Sequence, residues 1–268
     1  MNIPLPTVRK LSAAFVAALF SCAAVAEVPQ AARDADVVVL GEQHDNPVHH
    51  QRQAEWAEIL APKALVFEML TLQQAVRANS DWADQAALDA TIDWSQNGWP
   101  SFDMYFPIFN AARGATVYGA LVPRDELRSW LEDSILDHPL AGPLGLGQPL
   151  PPDEQAAREA LQAEAHCGAL PEEMLPVMVD AQRLRDAALA DATLRALQAT
   201  GGPVVVITGN GHARGDWGVP ALLARAAPNV TVFALGQGED GADVTGTFSL
   251  TLDAPSPERA DPCEAFKQ

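Results

Sequence analysis

Glu42 and His44 stand two residues apart behind the apolar run Val37 to Leu40, and a second apolar run, starting at Ala64, ends in Glu68. A later run, Val204 to Thr208, is followed by Gly209-Asn210-Gly211-His212-Ala213-Arg214. Two imidazoles and two carboxylates brought together could hold a divalent metal ion through His nitrogen and carboxylate oxygen. They could equally carry general acid/base chemistry, each group poised by burial and by its neighbours. A plainer role is open to each: Glu42 could cap a helix or pair with Arg124, and the histidines could be hydrogen-bonded loop residues. Gly209 to His212 also resembles a turn that lets backbone approach an anion at a helix start. It lacks the full dinucleotide spacing and any Lys-Ser/Thr, which argues against a nucleotide site, but a carboxylate could use the same donors. Gln182, Arg185 and Asp186 form a further polar cluster, and no Gly-x-Ser-x-Gly elbow is present.

Six short β-branched runs supply the frame: Val37 to Leu40, Ala64 to Met69, Thr116 to Leu121, Val204 to Thr208, Val230 to Leu235 and Phe248 to Leu252. Pro47 to Leu60 has helical composition, with Pro47 at a first helical position. Strand, helix, strand at this spacing predicts an α/β fold with a largely parallel sheet flanked by helices. The first four runs are apolar throughout, as buried strands require, whereas Phe248, Leu250 and Leu252 alternate and read as an edge. From Arg124 to Thr200 the texture turns to Ala, Leu, Glu and Arg, a helical insertion between the third and fourth strands. Pro139 to Pro152 interrupts it with five Pro and three Gly in 14 residues, and Glu172 to Gln198 reads as one long helix. Ligands of such sheets sit beyond the carboxyl ends of the strands, where Glu42, His44, Glu68 and His212 all fall.

The chain has 268 residues, 48% of them hydrophobic, and a formal charge of −18, so a globular domain is expected and nucleic acid or an anionic membrane surface is disfavoured as partner. Arg9 and Lys10, an apolar stretch from Leu11 to Phe20 and the small residues of Ala24-Val25-Ala26 have the layout of a signal peptide over residues 1–26. Export to the periplasm, or to a membrane anchorage facing the periplasm or the cell surface, follows as an expectation, with residues 27–268 as a single domain. Leu19-Phe20-Ser21-Cys22 resembles a lipoprotein box, making Cys22 a candidate lipid anchor. Cys167 and Cys263 remain: one disulfide in an oxidising compartment, two thiols, or metal ligands. The aromatic stretch Trp94, Trp99, Phe102, Tyr105, Phe106 and Phe109 reads as core, with a flat hydrophobic pocket as its alternative use.

Gly41-Glu42-Gln43-His44-Asp45-Asn46-Pro47 with His49-His50 and Gln53, Phe67-Glu68-Met69, Gln182 to Asp186, and Gly209 to Arg214 with Asp216 and Gly218-Val219-Pro220 resemble the ChaN-like haem-binding uptake family. The resemblance spans roughly residues 35 to 265, with Leu189 a small departure from an expected Met. It implies an α/β fold, an exported and often lipid-anchored bacterial protein, and haem binding linked to iron acquisition. It also implies similarity to a wider superfamily with Tiki metalloproteases and erythromycin-esterase-like hydrolases, whose metal or base positions correspond here to Glu42, His44, Glu68 and His212. Haem ligation by tyrosine in the family points to Tyr105, since Tyr118 lies within a strand run, with His49 and His50 as alternative axial ligands. His212, Arg214 or Arg124 would serve the porphyrin carboxylates, and a homodimer sharing haem is open. A haem carrier, a metal-dependent hydrolase or peptidase, and a binding module for another small molecule therefore compete.

Overall fold

The strands, in a computed structural model that describes residues 27–96, 98–261 and 263–264, form one six-stranded, all-parallel sheet. They are β1 Val37–Glu42, β2 Ala64–Phe67, β3 Thr116–Gly119, β4 Val204–Gly209, β5 Val232–Glu239 and β6 Leu250–Ala254, in the order β3-β2-β4-β1-β5-β6. The signal-peptide reading of residues 1–26 and the anchor at Cys22 lie outside the described residues.

Alternation along the strands divides the interior into two cores. Val38, Leu40, Leu65 and Ile207 face helices Pro47–Leu60, Leu72–Ala78, Gln85–Ile92 and Phe102–Ala111. Val37, Val39, Val66 and Val206 face helices Arg124–Asp133, Leu175–Thr200 and Val219–Ala226. Both faces being covered, β1, β2 and β4 are buried at every residue, which is why their sequences are apolar without alternation. β6 does lie at an edge, as its alternating pattern predicts. The long helix runs from Leu175 after a short 3-10 turn at Glu172–Met174, and Pro139 to Pro151 forms no helix or strand.

β1 and β4 are neighbours, with Glu42 opposite Gly209 in register. The connection from β1 passes to β2 beyond β4, and the one from β4 passes to β5 beyond β1, on opposite faces of the sheet. Such a reversal opens a crevice at the carboxyl ends of the two strands. Gly209 keeps it open at its base: a Cβ there would stand 3.0 Å from His44 Nε2.

The C-terminal tail straps this end of the sheet. Asn46, whose side chain caps helix Pro47–Leu60, also donates to Glu239 Oε1 at 2.7 Å and to the Pro255 carbonyl at 3.0 Å. Arg259 bridges Asp45 and Glu239, and Cys263 is disulfide-bonded to Cys167, 96 residues away. Closing a loop of that size removes denatured-state entropy worth about 4.7 kcal/mol. Reduction should therefore lower the unfolding free energy by about that amount in urea titrations with and without dithiothreitol; matching midpoints and slopes would contradict it.

Candidate functional site

Glu42 ends β1 and is buried. Its Oε1 accepts from the Tyr105 hydroxyl at 2.8 Å and lies 2.7 Å from His44 Nδ1, while Oε2 faces His50 Nδ1 at 3.3 Å. The other His50 nitrogen, Nε2, donates to the His44 carbonyl at 2.8 Å. Both oxygens of Glu42 thus face the interior. Glu42 fixes the imidazole of His44, whose Nε2 has no hydrogen bond among the described residues and lies 3.9 Å from Glu68 Oε1.

Glu68 follows β2. Its Oε2 accepts from Thr208 Oγ1 at 2.7 Å and from the Gly209 N–H at 2.8 Å. Its Oε1 lies 3.6 Å from His212 Nε2 and 3.9 Å from His44 Nε2. His212, on the turn after β4, has Nδ1 held at 2.7 Å by Asp186 of the long helix. Each imidazole is therefore gripped at Nδ1 by a buried carboxylate and directed by Nε2 at one shared carboxylate.

Burial alone would raise the proton affinity of Glu68, but the charges of His212 and His44 and the donors Gly209 and Thr208 bring its pKa down to about 2. For His44, burial acts to lower the pKa; the hydrogen bond to Glu42 and the charges of Glu68, Glu42 and Asp45 override it and raise it to about 9. His212 is raised too, burial being outweighed by Glu68 and Asp186, while burial raises Asp186 itself. Burial, followed by the Glu42 charge, pushes the Tyr105 phenol far up, so it remains a protonated donor.

Two clefts meet at His44 and His212. One of about 560 Å³ runs past Arg158, Gln182 and Trp217. The other, of about 760 Å³, has walls from Trp99, Leu121, Val122 and Leu189 and carries Glu68, Arg124 and Arg185. Both fall within the usual size of small-molecule sites. The Trp99 ring lies 4.9 Å from that of His44.

Residues 28–223 match the family described as haem-binding uptake, Tiki superfamily, ChaN. The chain belongs to this family. Among solved structures, ChaN of Campylobacter jejuni, described with cofacial haem binding, is 18% identical, with 81% of this chain and 86% of that one covered and a TM-score of 0.61. The type III effector HopBA1 is 14% identical over 84% and 90% of the two chains, with a TM-score of 0.46. An erythromycin esterase variant in its open conformation is 13% identical over 78% and 71%, with a TM-score of 0.41. No curated protein matches the chain. At these identities the likeness to ChaN of Campylobacter jejuni speaks for the fold, and membership of the ChaN family carries haem binding.

Within this ChaN-family chain the structure redistributes the iron-ligand candidates. Tyr105 is fully buried with its hydroxyl on Glu42, so it serves the Glu42–His44 pair and presents no phenolate to a cleft. His49 uses both nitrogens, Nδ1 for the Gln43 N–H at 3.0 Å and Nε2 for the Gly238 carbonyl at 3.1 Å. His50 is likewise turned inward, and Tyr118 packs against the second core. His44, which the sequence pattern marks for a divalent metal or for acid/base chemistry, has 32% of its side chain exposed and borders both clefts. Arg214 is bound through Nε and Nη2 to Asp216 and stacks 3.5 Å over Trp217, whereas Arg124 lines the larger cleft with no ion pair among the described residues.

The four residues Glu42, His44, Glu68 and His212 do come together as expected, but Glu42 supports His44 instead of facing a ligand. Among the described residues no group of three or more His, Cys, Asp and Glu is placed to hold a metal ion. The aromatic stretch is core: Trp94, Phe102, Tyr105 and Phe109 are buried, and only Trp99 of the six reaches the larger cleft. Sequence reading missed Asp186 as the partner of His212. Its neighbour Arg185 offered a nearer partner, yet adjacent helical residues point about 100° apart and do not face each other.

Proposed function

We propose that this protein is an exported haem carrier for haem and iron uptake, and that it holds haem in the cleft of about 760 Å³ with His44 Nε2 as the axial ligand. Family membership supports haem as the ligand, and the N-terminal pattern of residues 9–26 supports export. The observation that carries the site assignment is His44 itself: Nδ1 anchored on Glu42 at 2.7 Å, Nε2 without a hydrogen bond and bordering the cleft. A metal-ligating histidine is oriented in this way, by a carboxylate on its other nitrogen. The cleft fits the group, since Trp99, Leu121, Val122 and Leu189 give it apolar walls and the indole N–H of Trp99 is buried without an acceptor. Haem, when bound, would supply an iron that an imidazole can ligate, and His44 would be the residue that supplies the imidazole.

His44 is protonated at neutral pH, and its Nε2 proton must leave before that atom can bind iron, so affinity should strengthen as pH rises toward 9. Haemin titration followed at the Soret band is the test. Saturation near one haemin per chain, tighter at pH 8 than at pH 6, supports the proposal; non-saturating uptake without pH dependence contradicts it.

A metal-dependent hydrolase or peptidase is the second reading, favoured by the two Nε2 atoms that face Glu68 Oε1. It requires an ion for which Glu68, His44 and His212 would have to close in, since among the described residues no group of three such side chains is placed to hold one.

A further inference from the structure

Acidic side chains outnumber basic ones by 35 to 17. Six arginines of the described residues, among them Arg77, Arg158 and Arg259, have a carboxylate within 4 Å. Arg124 and Arg185 have neither an ion pair nor a hydrogen bond among those residues, and both line the His44 cleft. They arrive from different elements, Arg124 at the first position of helix Arg124–Asp133 and Arg185 from the middle of Leu175–Thr200. The two cations are close enough to sense each other: burial first, and Arg124 least, lower the proton affinity of the half-buried Arg185, against the opposing charges of Glu68 and Asp186. The nearest anion of the cleft, Glu68, is already engaged by Thr208, Gly209 and the two imidazoles. Asp125 and Glu126 sit in the same first turn as Arg124 but do not pair with it. Keeping the unpaired guanidinium of Arg185 partly out of water is costly unless an anion joins it, and the exposed Arg124 lines the same cleft.

We propose that Arg124 and Arg185 form a carboxylate clamp, so that the cleft selects ligands by their free carboxylates as well as by their apolar body. Guanidinium groups match carboxylates geometrically, two N–H bonds to two oxygens, which lysines do less well. The clamp rests on the haem reading for its ligand: there the carboxylates are the porphyrin propionates, and His44 and the clamp act on different parts of one molecule.

Metal-free protoporphyrin separates the two, because it cannot use His44 as an iron ligand. Binding of protoporphyrin and of its dimethyl ester to the full protein is read by quenching of tryptophan fluorescence, for the parent, Arg124→Met, Arg185→Met and Arg185→Lys. The diacid should bind at least about tenfold more tightly than the diester, a preference that shrinks with added salt. Each Met variant should lose most of that preference and Arg185→Lys should keep part of it. Arg124 is exposed at a helix start, so its variant tests the clamp even where Arg185→Met fails to fold. Equal binding of diacid and diester by a parent that still binds haemin overturns the clamp and leaves the haem reading standing. No binding of haemin or of either porphyrin overturns both.

Discussion

Replacing Glu42 by alanine is expected to lower the unfolding free energy by about 3–5 kcal/mol, the range found when one partner of a buried charged network is removed. The reason is the number of groups that depend on one carboxylate. Tyr105 would keep a buried hydroxyl without its acceptor, His44 would lose the group on its Nδ1, and His50 Nδ1 would face a void. Glu42→Gln retains an acceptor and should cost less. Tyr105→Phe should cost only about 1–1.5 kcal/mol, because Glu42 keeps His44 when the phenol is gone. Urea unfolding of the three variants checks this order; a Glu42→Ala protein within about 1 kcal/mol of the parent would remove Glu42 from the centre of the network.

Stability should peak near pH 6.5 and fall on both sides. Glu68 has its pKa depressed from 4.5 to about 2, so its contribution is complete above 4.5 and is lost as pH falls toward 2. Over that interval the shift corresponds to about 3 kcal/mol. His44 is the opposite case: raised from 6.5 to about 9, it contributes fully below 6.5 and loses its contribution as pH rises through 9. The Glu68 and His44 effects share one attraction and do not add. Buried His49, lowered from 6.5 chiefly by burial, sharpens the acid side, since below 6.5 the unfolded chain takes up a proton that the folded ring resists. Asp186, raised by burial, works the other way and softens the acid limb. Chemical unfolding from pH 3 to 9 should give this curve, and Glu68→Gln should flatten its acid limb. A parent and a Glu68→Gln protein with parallel acid limbs would contradict the assignment.

Much of this frame was legible because a central parallel strand leaves a plain mark: Val37 to Leu40 and Val204 to Thr208 can be continuously apolar only where both faces are covered. Helix Pro47–Leu60 was legible from its composition and from Pro47, a residue already set for the first turn, whereas the Asn46 cap emerged only with the fold. The convergence of Glu42, His44, Glu68 and His212 followed from their place after successive strands. Their division of labour did not, since it depends on contacts that cross 63 residues from Glu42 to Tyr105 and 26 from Asp186 to His212. Tyr105 illustrates the limit. An apolar stretch with one tyrosine reads equally as a ligand on a pocket wall or as a core ring with a polar tip, and only packing decides. Here the ring sits 4.5 Å from Trp94 and 4.3 Å from His50, inside the core, with its hydroxyl on Glu42. Arg124 and Arg185 were visible as cations, but that neither pairs with a carboxylate among the described residues is a property of the fold.

The measurement closest to the central claim is haemin titration of His44→Ala beside Tyr105→Phe and His49→Ala, with the Soret spectrum recorded at saturation. Loss of a supporting partner of a metal-bound histidine already weakens binding by about ten- to a hundredfold, so loss of the histidine itself should cost about a hundredfold or more. That drop, with a changed spectrum, is expected for His44→Ala alone, and near-parental affinity and spectrum for Tyr105→Phe and His49→Ala. Parental affinity and spectrum in His44→Ala, or their loss in Tyr105→Phe with the fold intact, would contradict that claim.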